Sequence, residues 1–346
     1  MIRRVALPLA LVFGTLGATL VPALGATAFA TISVTITAPT VLSSQLPLLR
    51  LHFNAPTSAA KLPALRTSPA LAVKWQQIGS RDVQAVAAGQ LIPSVAYTIS
   101  APTKMSCARS CTFSALRPFT ATVEANLTLE AQLLAELNYL PVDFTPNVAQ
   151  SDATLQAPGT FSWKYANLPA ALSAQWQVGV DTPILHGALM NFQNVNQLPT
   201  TGVADAATWT DLISAVRHSK VDPASYNYVV VSESSPQSTT LYVAGHAKFH
   251  TLANTGIAVA PTATGTYPVY LRYVTQTMSG TNPDGSHYSD PGIPWVSYFN
   301  GGDALHGFLR SYYGAPQSLG CVEMTFSAAK VIWPFTPIGT LVTVNA

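Results

Sequence analysis

Apolar and polar residues alternate with period two at both ends of this chain. A single stretch with helical spacing interrupts the pattern. Residues 31–36 (Thr-Ile-Ser-Val-Thr-Ile), 49–53 and 72–75 alternate, and turn residues separate them; residues 97–100 and 119–123 add two further strands. Several short strands at this spacing favour a small sandwich. From about residue 127 the period changes. Leu129, Leu133, Leu134 and Leu137 lie at helical spacing, and Asn138-Tyr139-Leu140-Pro141 ends the run. A second helix is expected over 184–195, and a third begins near Asp205 and passes through Trp209 and Leu212. Strand patterns return at 226–232, 239–245, 267–274 and 339–344, with one helix expected over 327–333. The expected fold class is therefore multidomain and mainly β, with a small helical module in the middle.

The 346 residues suffice for two or three domains, and 48% of them are hydrophobic, so each domain can bury a core. Only 9% are charged, against about 25% in ordinary soluble domains. With a net charge of +2 there is no electrostatic case for nucleic acid. Met1-Ile2-Arg3-Arg4 is a basic start, residues 5–24 are nearly all apolar or small, and Ala26 and Ala28-Phe29-Ala30 offer small residues for cleavage. Residues 1–30 read as a secretory signal peptide, with an uncleaved anchor as the alternative. The expected location is secreted, outside the cytoplasmic membrane, where disulfides persist.

There are three cysteines. Cys107 and Cys111, four apart, are expected to form a disulfide that pins a hairpin tip; two free buried thiols are the other reading. Cys321 is left over, and an odd thiol in an exported chain points to intermolecular pairing or reactivity. It lies in Ser318-Leu319-Gly320-Cys321-Val322-Glu323-Met324, fifteen residues after His306-Gly307. A thiol, an upstream imidazole and a glycine before the thiol are parts of a cysteine acyl-transfer site. The imidazole accepts the thiol proton and returns it to a leaving amine. Gly320 allows close approach of substrate and backbone, and the Cys321 N–H with a neighbouring N–H can hold an oxyanion. Gly307 and Ser318 are further candidates for shaping this loop, Ser318 either orienting His306 or steadying the turn. Tyr298, Trp295, Tyr312 and Tyr313 are candidates for lining a peptide groove, the last two the better placed. Residues 284–290 read as a Gly-containing loop able to cover the cleft. His246 and His250 are four apart, but in strand and turn sequence with no acidic or Cys partner nearby. No metal and no organic cofactor are expected.

The last third resembles the L,D-transpeptidase (YkuD-like) catalytic domain. The family pattern is His-Gly, a loop, then Ser/Thr-His-Gly-Cys, an apolar residue, and Arg or Asn. Here His306-Gly307, Gly314 and Ser318-Leu319-Gly320-Cys321-Val322-Glu323 follow that order. Ile293-Pro294-Trp295-Val296-Ser297-Tyr298-Phe299 resembles the family's approach segment, residues 261–267 its upstream turn, and Gly339-Thr340-Leu341-Val342 its close. Two positions depart: Leu319 replaces the family's His, and Glu323 its Arg or Asn. A carboxylate beside the thiol would raise the thiol pKa; alternatively Glu323 points away, or pairs with Arg310 or Arg272. The helical stretch resembles the three-helix peptidoglycan-binding domain in residues 137–141, 188–193 and 202–212, with a longer middle loop containing residues 160–165. The first β region resembles bacterial Ig-like modules in architecture only.

These resemblances imply an Ig-like module over 31–125, a peptidoglycan-binding-like domain over 127–217 and a catalytic domain over 225–346. They imply a cell-wall enzyme with Cys321 as nucleophile and His306 as base. Its partners would be peptidoglycan stem peptides and glycan, and carbapenem-type β-lactams would inhibit it. An L,D-carboxypeptidase, a D-amino-acid exchange enzyme and a catalytically decayed wall-binding protein are the alternatives.

Overall fold

A computed structural model of the chain describes residues 14–17, 34–42, 46–100, 104–106, 112–114, 117–150 and 155–346. Nearly all of the signal segment, and both Cys107 and Cys111, lie outside the described residues. The chain divides into two compact units, residues 1–125 with 149–157, and residues 126–148 with 158–346.

Among the described residues the first unit contains a two-stranded ladder of Lys104–Ser106 with Thr112–Ser114 and two larger sheets. One orders its strands Gly14–Gly17, Val34–Ala38, Leu49–Phe53, Asp82–Ala87, Val73–Gln77; the other orders Val41–Leu42, Phe119–Val123, Ala96–Ser100, Arg66–Ser68. Strict alternation makes each sheet one-sided. Leu49, Leu51 and Phe53 are buried while Arg50 and His52 are exposed. They share one core with Val83 and Ala85 from the same sheet and Tyr97, Ile99, Ala121 and Val123 from the other.

The second unit begins with the helical stretch. Helix α1 (Leu127–Glu136) starts where the Asn126 side chain accepts from Leu129 N at 3.0 Å. Strands Val142–Pro146 and Gly159–Trp163 then pair as a hairpin, so the expected middle loop is partly sheet. Phe144 faces Phe161 in this ladder, a cross-strand aromatic pair that favours the ribbon. A short α2 (Ala170–Ser173) follows. Helix α3 (Pro183–Val195) is capped by Thr182 and opens on Pro183; helix α4 (Ala206–Arg217) is capped by Asp205, whose Oδ1 accepts from Thr208 N and Oγ1, both at 2.8 Å.

Two further sheets complete this unit. A five-stranded sheet orders His246–Leu252, Ser238–Val243, Asn227–Ser232, Leu341–Asn345, Gly265–Pro268. A four-stranded sheet orders Leu271–Thr281, His287–Asn300, Asp303–Gly307, Val322–Met324. Val229, Val231, Leu241, Val342 and Val344 of the first pack with Phe299, Leu305, Val322 and Met324 of the second, closed by Ala328, Ala329 and Ile332 of α5 (Phe326–Ile332). The strand expected over 267–274 is two strands. Pro268 ends the first, having no N–H to donate. Val269 N then bonds to Thr340 O, and Tyr270 N to Tyr298 O, as the chain passes from one sheet to the other.

Helix α3 sits on the five-stranded sheet of the same unit through two glycines. A Cβ on Gly187 would stand 2.5 Å from the Gly339 carbonyl oxygen, and one on Gly339, at φ +88°, would stand 2.2 Å from the Gly187 oxygen. The helical and C-terminal β stretches therefore fold as one unit.

Candidate active site

Strands Asp303–Gly307 and Val322–Met324 run parallel, with Leu305 opposite Val322 and His306 opposite Glu323. Alternation sends Leu305, Val322 and Met324 into the core and turns His306, Glu323 and the preceding Cys321 to the other face. There all three line an open cavity of about 620 Å³. Fifteen residues of sequence separation are thus closed by one pair of adjacent strands.

His306 is buried, and its Nδ1 lies 3.1 Å from the Gly307 carbonyl oxygen. A carbonyl only accepts, so Nδ1 carries the proton in this bond and Nε2 keeps a lone pair. Burial lowers the imidazole pKa below its ordinary value; the Gly307 bond and Glu323 oppose the shift. The Cys321 sulfur points to the Gly302 carbonyl at 3.6 Å. Burial pushes the thiol up to about 12, with Asp303 and Glu323 adding to the rise and a bond from the Ala304 backbone opposing it. Both partners therefore rest uncharged, as thiol and neutral imidazole.

Glu323, the first departure, does not face the thiol as a lone charge. Arg310 grips it with two bonds of 2.7 Å, Nε to Oε2 and Nη2 to Oε1, the bidentate geometry of strong charge-assisted pairs. Arg310 also donates to Gln317 O at 3.2 Å and lies over the Phe308 ring. Arg272, the other candidate partner, instead lies over the Trp333 ring and donates to the Trp333 carbonyl. Leu319, the second departure, lines the cavity with its side chain 36% exposed, an apolar wall beside the nucleophile.

The loop before Cys321 is held by buried hydroxyls. Ser318 Oγ donates to the Cys321 carbonyl and accepts from Gly320 N at 3.2 Å. It bonds within the turn and steadies it. Thr262 Oγ1 accepts from Gly256 N at 2.9 Å and donates to Gly320 O at 2.8 Å. Gly320 has φ +115°, and a Cβ there would stand 2.3 Å from Asp303 Oδ1, so glycine is required twice over. Gly307 is tight for another reason: a Cβ would stand 2.9 Å from the Phe326 ring.

The aromatic candidates divide. Tyr298 lines the cavity, its hydroxyl accepting from Gln276 Nε2 at 2.6 Å. Trp295 does not; it packs on Trp333 against the core. Nor do Tyr312 and Tyr313, although they lie between His306 and Cys321 in sequence. Tyr312 is 59% exposed, and the Tyr313 hydroxyl donates to Phe308 O at 2.6 Å, folding back on its own loop. The expected covering loop at 284–290 is mostly strand: Leu271–Thr281 and His287–Asn300 form a hairpin whose Gln276, Met278, Tyr288, Asp290 and Ile293 line the cavity. Polar Thr275, Thr277, Ser279 and Ser289 conceal this hairpin in the sequence, because it has no continuous apolar stripe.

Residues 226–344 match the family model described as YkuD, the L,D-transpeptidase catalytic domain. No curated protein matches the chain. Among solved structures, the L,D-transpeptidase LdtMt1 in complex with imipenem is similar at 11% identity, covering 89% of this chain and 94% of that one with a TM-score of 0.32. L,D-transpeptidase 3 from Mycobacterium tuberculosis in complex with a faropenem-derived adduct is similar at 12% identity over 89% and 94%, TM-score 0.32. The catalytic domain from the Enterococcus faecium L,D-transpeptidase is 24% identical over 36% of this chain and 100% of that one, TM-score 0.32. The family match places an L,D-transpeptidase-type catalytic domain in the C-terminal third.

Proposed function

We propose that the protein is an exported cell-wall L,D-transpeptidase that cross-links peptidoglycan stem peptides through a thioester on Cys321. The observation that carries this reading is the placement of His306, on strand Asp303–Gly307, and Cys321, immediately before the parallel strand Val322–Met324, so that both face one cavity within the matched region. Sγ bonds to the carbonyl carbon of the peptide bond before a terminal D-alanine as His306 Nε2 takes the thiol proton. The C–N bond then breaks, His306 returns the proton to the leaving amine, and a thioester remains. The side-chain amine of a second stem, typically diaminopimelate, attacks and gives its proton to His306. The C–S bond breaks and the thiol is restored. Moving the proton within the attack step suits a thiol held protonated at rest. The Cys321 N–H serves the oxyanion, and Gly320 leaves room for the substrate beside it. No metal or organic cofactor enters the reaction.

The same thiol is the site of carbapenem acylation in this reading. Residues 1–30 direct export or serve as an anchor. The first unit spaces the catalytic region from its attachment, the helical stretch contacts glycan or stem peptide, and Cys107 pairs with Cys111. The second reading, a decayed wall-binding protein, draws on the thiol pushed up to about 12; the closed Arg310–Glu323 pair argues against it.

Mass spectrometry of the protein with tetrapeptide muropeptides separates the readings. Joined product with loss of one D-alanine is expected. Loss of D-alanine without joining would indicate a carboxypeptidase. Cys321→Ala is expected to abolish carbapenem addition and His306→Ala nearly to do so. Retained addition in the Cys321 variant would overturn the assignment, and no addition to the wild type would favour the decayed protein.

A further inference from the structure

Apart from its tyrosines, the cavity lining has five ionisable side chains, and four of them are accounted for. Glu323 and Arg310 close on each other through two 2.7 Å bonds. His306 is held toward its neutral form and Cys321 as the thiol. Asp290 remains. Its carboxylate lines the cavity and has no ion-pair partner within 4.0 Å among the described residues. It still lies close enough to act electrostatically on His306, Arg310 and Tyr288.

Its aim into the cavity is built by the backbone. In the hairpin ladder Gln276 pairs with Ile293, but Met278 pairs with Asp290, so one residue on the first strand faces two, Pro291 and Gly292, on the other. Gly292 takes φ +74°. Asp290 and Ile293 are three apart, and regular alternation would send them to opposite faces. The Pro291–Gly292 bulge reverses the parity, so both side chains line the same cavity. Bulges next to active sites re-aim side chains in this way. Without it, Asp290 would face away from the thiol.

Asp290 has apolar and neutral neighbours in the cavity (Leu319, Ile293, Met278, Tyr298), and the Arg310 cation there is already held by Glu323, so its carboxylate favours a cationic group of a ligand, and the cation a stem peptide offers is a primary ammonium. We propose that Asp290 is a specificity residue that binds a primary ammonium group of the stem peptide in the Cys321 cavity, and that the Pro291–Gly292 bulge exists to aim it there. This rests on the proposed stem-peptide substrate. The ammonium belongs either to the residue that donates the acyl group or to the incoming acceptor, and the two are experimentally separable.

Binding is read first, in the full-length Cys321→Ala protein, so that no chemistry is required. Calorimetry compares tetrapeptide stems carrying a free or an N-acetylated diaminopimelate side-chain amine. A charged hydrogen bond is worth about 1.5–3 kcal/mol, so the free amine is expected to bind at least about tenfold more tightly. Adding Asp290→Asn is expected to erase the difference, and Asp290→Glu to keep part of it. In the wild-type thiol background, slower D-alanine release in Asp290→Asn with the KM for the acceptor amine unchanged assigns the ammonium to the acyl donor. A raised KM for the acceptor amine, with D-alanine release unchanged, assigns it to the acceptor. An unaltered preference for the free amine in the Asn variant overturns the proposal, as does a wild-type pocket indifferent to acetylation. Neither result touches the transpeptidase reading, which fails on its own readouts, when the wild-type protein yields no joined product from any stem or the Cys321 variant still adds carbapenem.

Discussion

Arg310 decides what the Glu323 substitution means. A carboxylate 4% exposed and two residues from the nucleophile would oppose thiolate formation. Gripped by a guanidinium, it becomes a neutral brace between the loop after His306 and the strand after Cys321. Removing one partner of such a pair leaves a buried charge, at about 3–5 kcal/mol. Arg310→Ala is therefore expected to lower the chemical-denaturation midpoint sharply and to slow carbapenem acylation; Glu323→Gln with Arg310 retained should cost less of both. The uncharged thiol–imidazole pair sets the pH behaviour. His306 has a folded pKa below its ordinary 6.5. Its contribution to stability is present above 6.5 and is lost as pH falls toward the folded value. Cys321 has a folded pKa above its ordinary 9.0, so its contribution is present below 9.0 and is lost as pH rises through about 12. Unfolding midpoints measured across pH should show both limbs, with Cys321→Ala removing the alkaline one. The acid limb of acylation should fall below 6.5 for the same reason, because protonated His306 is no base.

At the scale of elements, the parallel strands Asp303–Gly307 and Val322–Met324 bring nucleophile and base to one face, while α3 and the Gly339 turn join the helical stretch to the five-stranded sheet. Helices α1, α3 and α4 were legible from apolar spacing, Asn126, Thr182 and Asp205 supplying caps at their starts. The catalytic hairpin was not. Its strands carry few apolar residues, and its parity is broken by Pro291 and Gly292, whose effect depends on a partner strand that alternation does not reveal. Trp295, Tyr312 and Tyr313 looked like groove residues because they lie near His306 and Cys321 in sequence, yet their side chains leave the cavity. The α3–sheet contact yields a direct test. Gly187→Leu puts side-chain carbons where the Gly339 carbonyl stands. Overpacking of this kind costs about 1–3 kcal/mol, and thermal melts should show the loss while Gly302→Ala, where a Cβ meets nothing within 4 Å and φ is not positive, shows less.

For the whole molecule, the second unit runs from Asn126 and includes the helical stretch. A chain of residues 126–346 is expected to unfold cooperatively in urea and to keep thiol acylation by mass spectrometry. Residues 218–346 alone strip α3 from Gly339 and Leu341 and should melt at lower denaturant. The sequence by itself determined the alternating and helical periods, the odd thiol and the His-Gly and Gly-Cys pieces in their order, because each is a local property of spacing or side-chain type. Only the tertiary structure decided which arginine neutralises Glu323, which tyrosines line the cavity and where Asp290 points. Each of these depends on strand register and on a single bulge, and register is set by which strands pair, a choice made by the folded core as a whole.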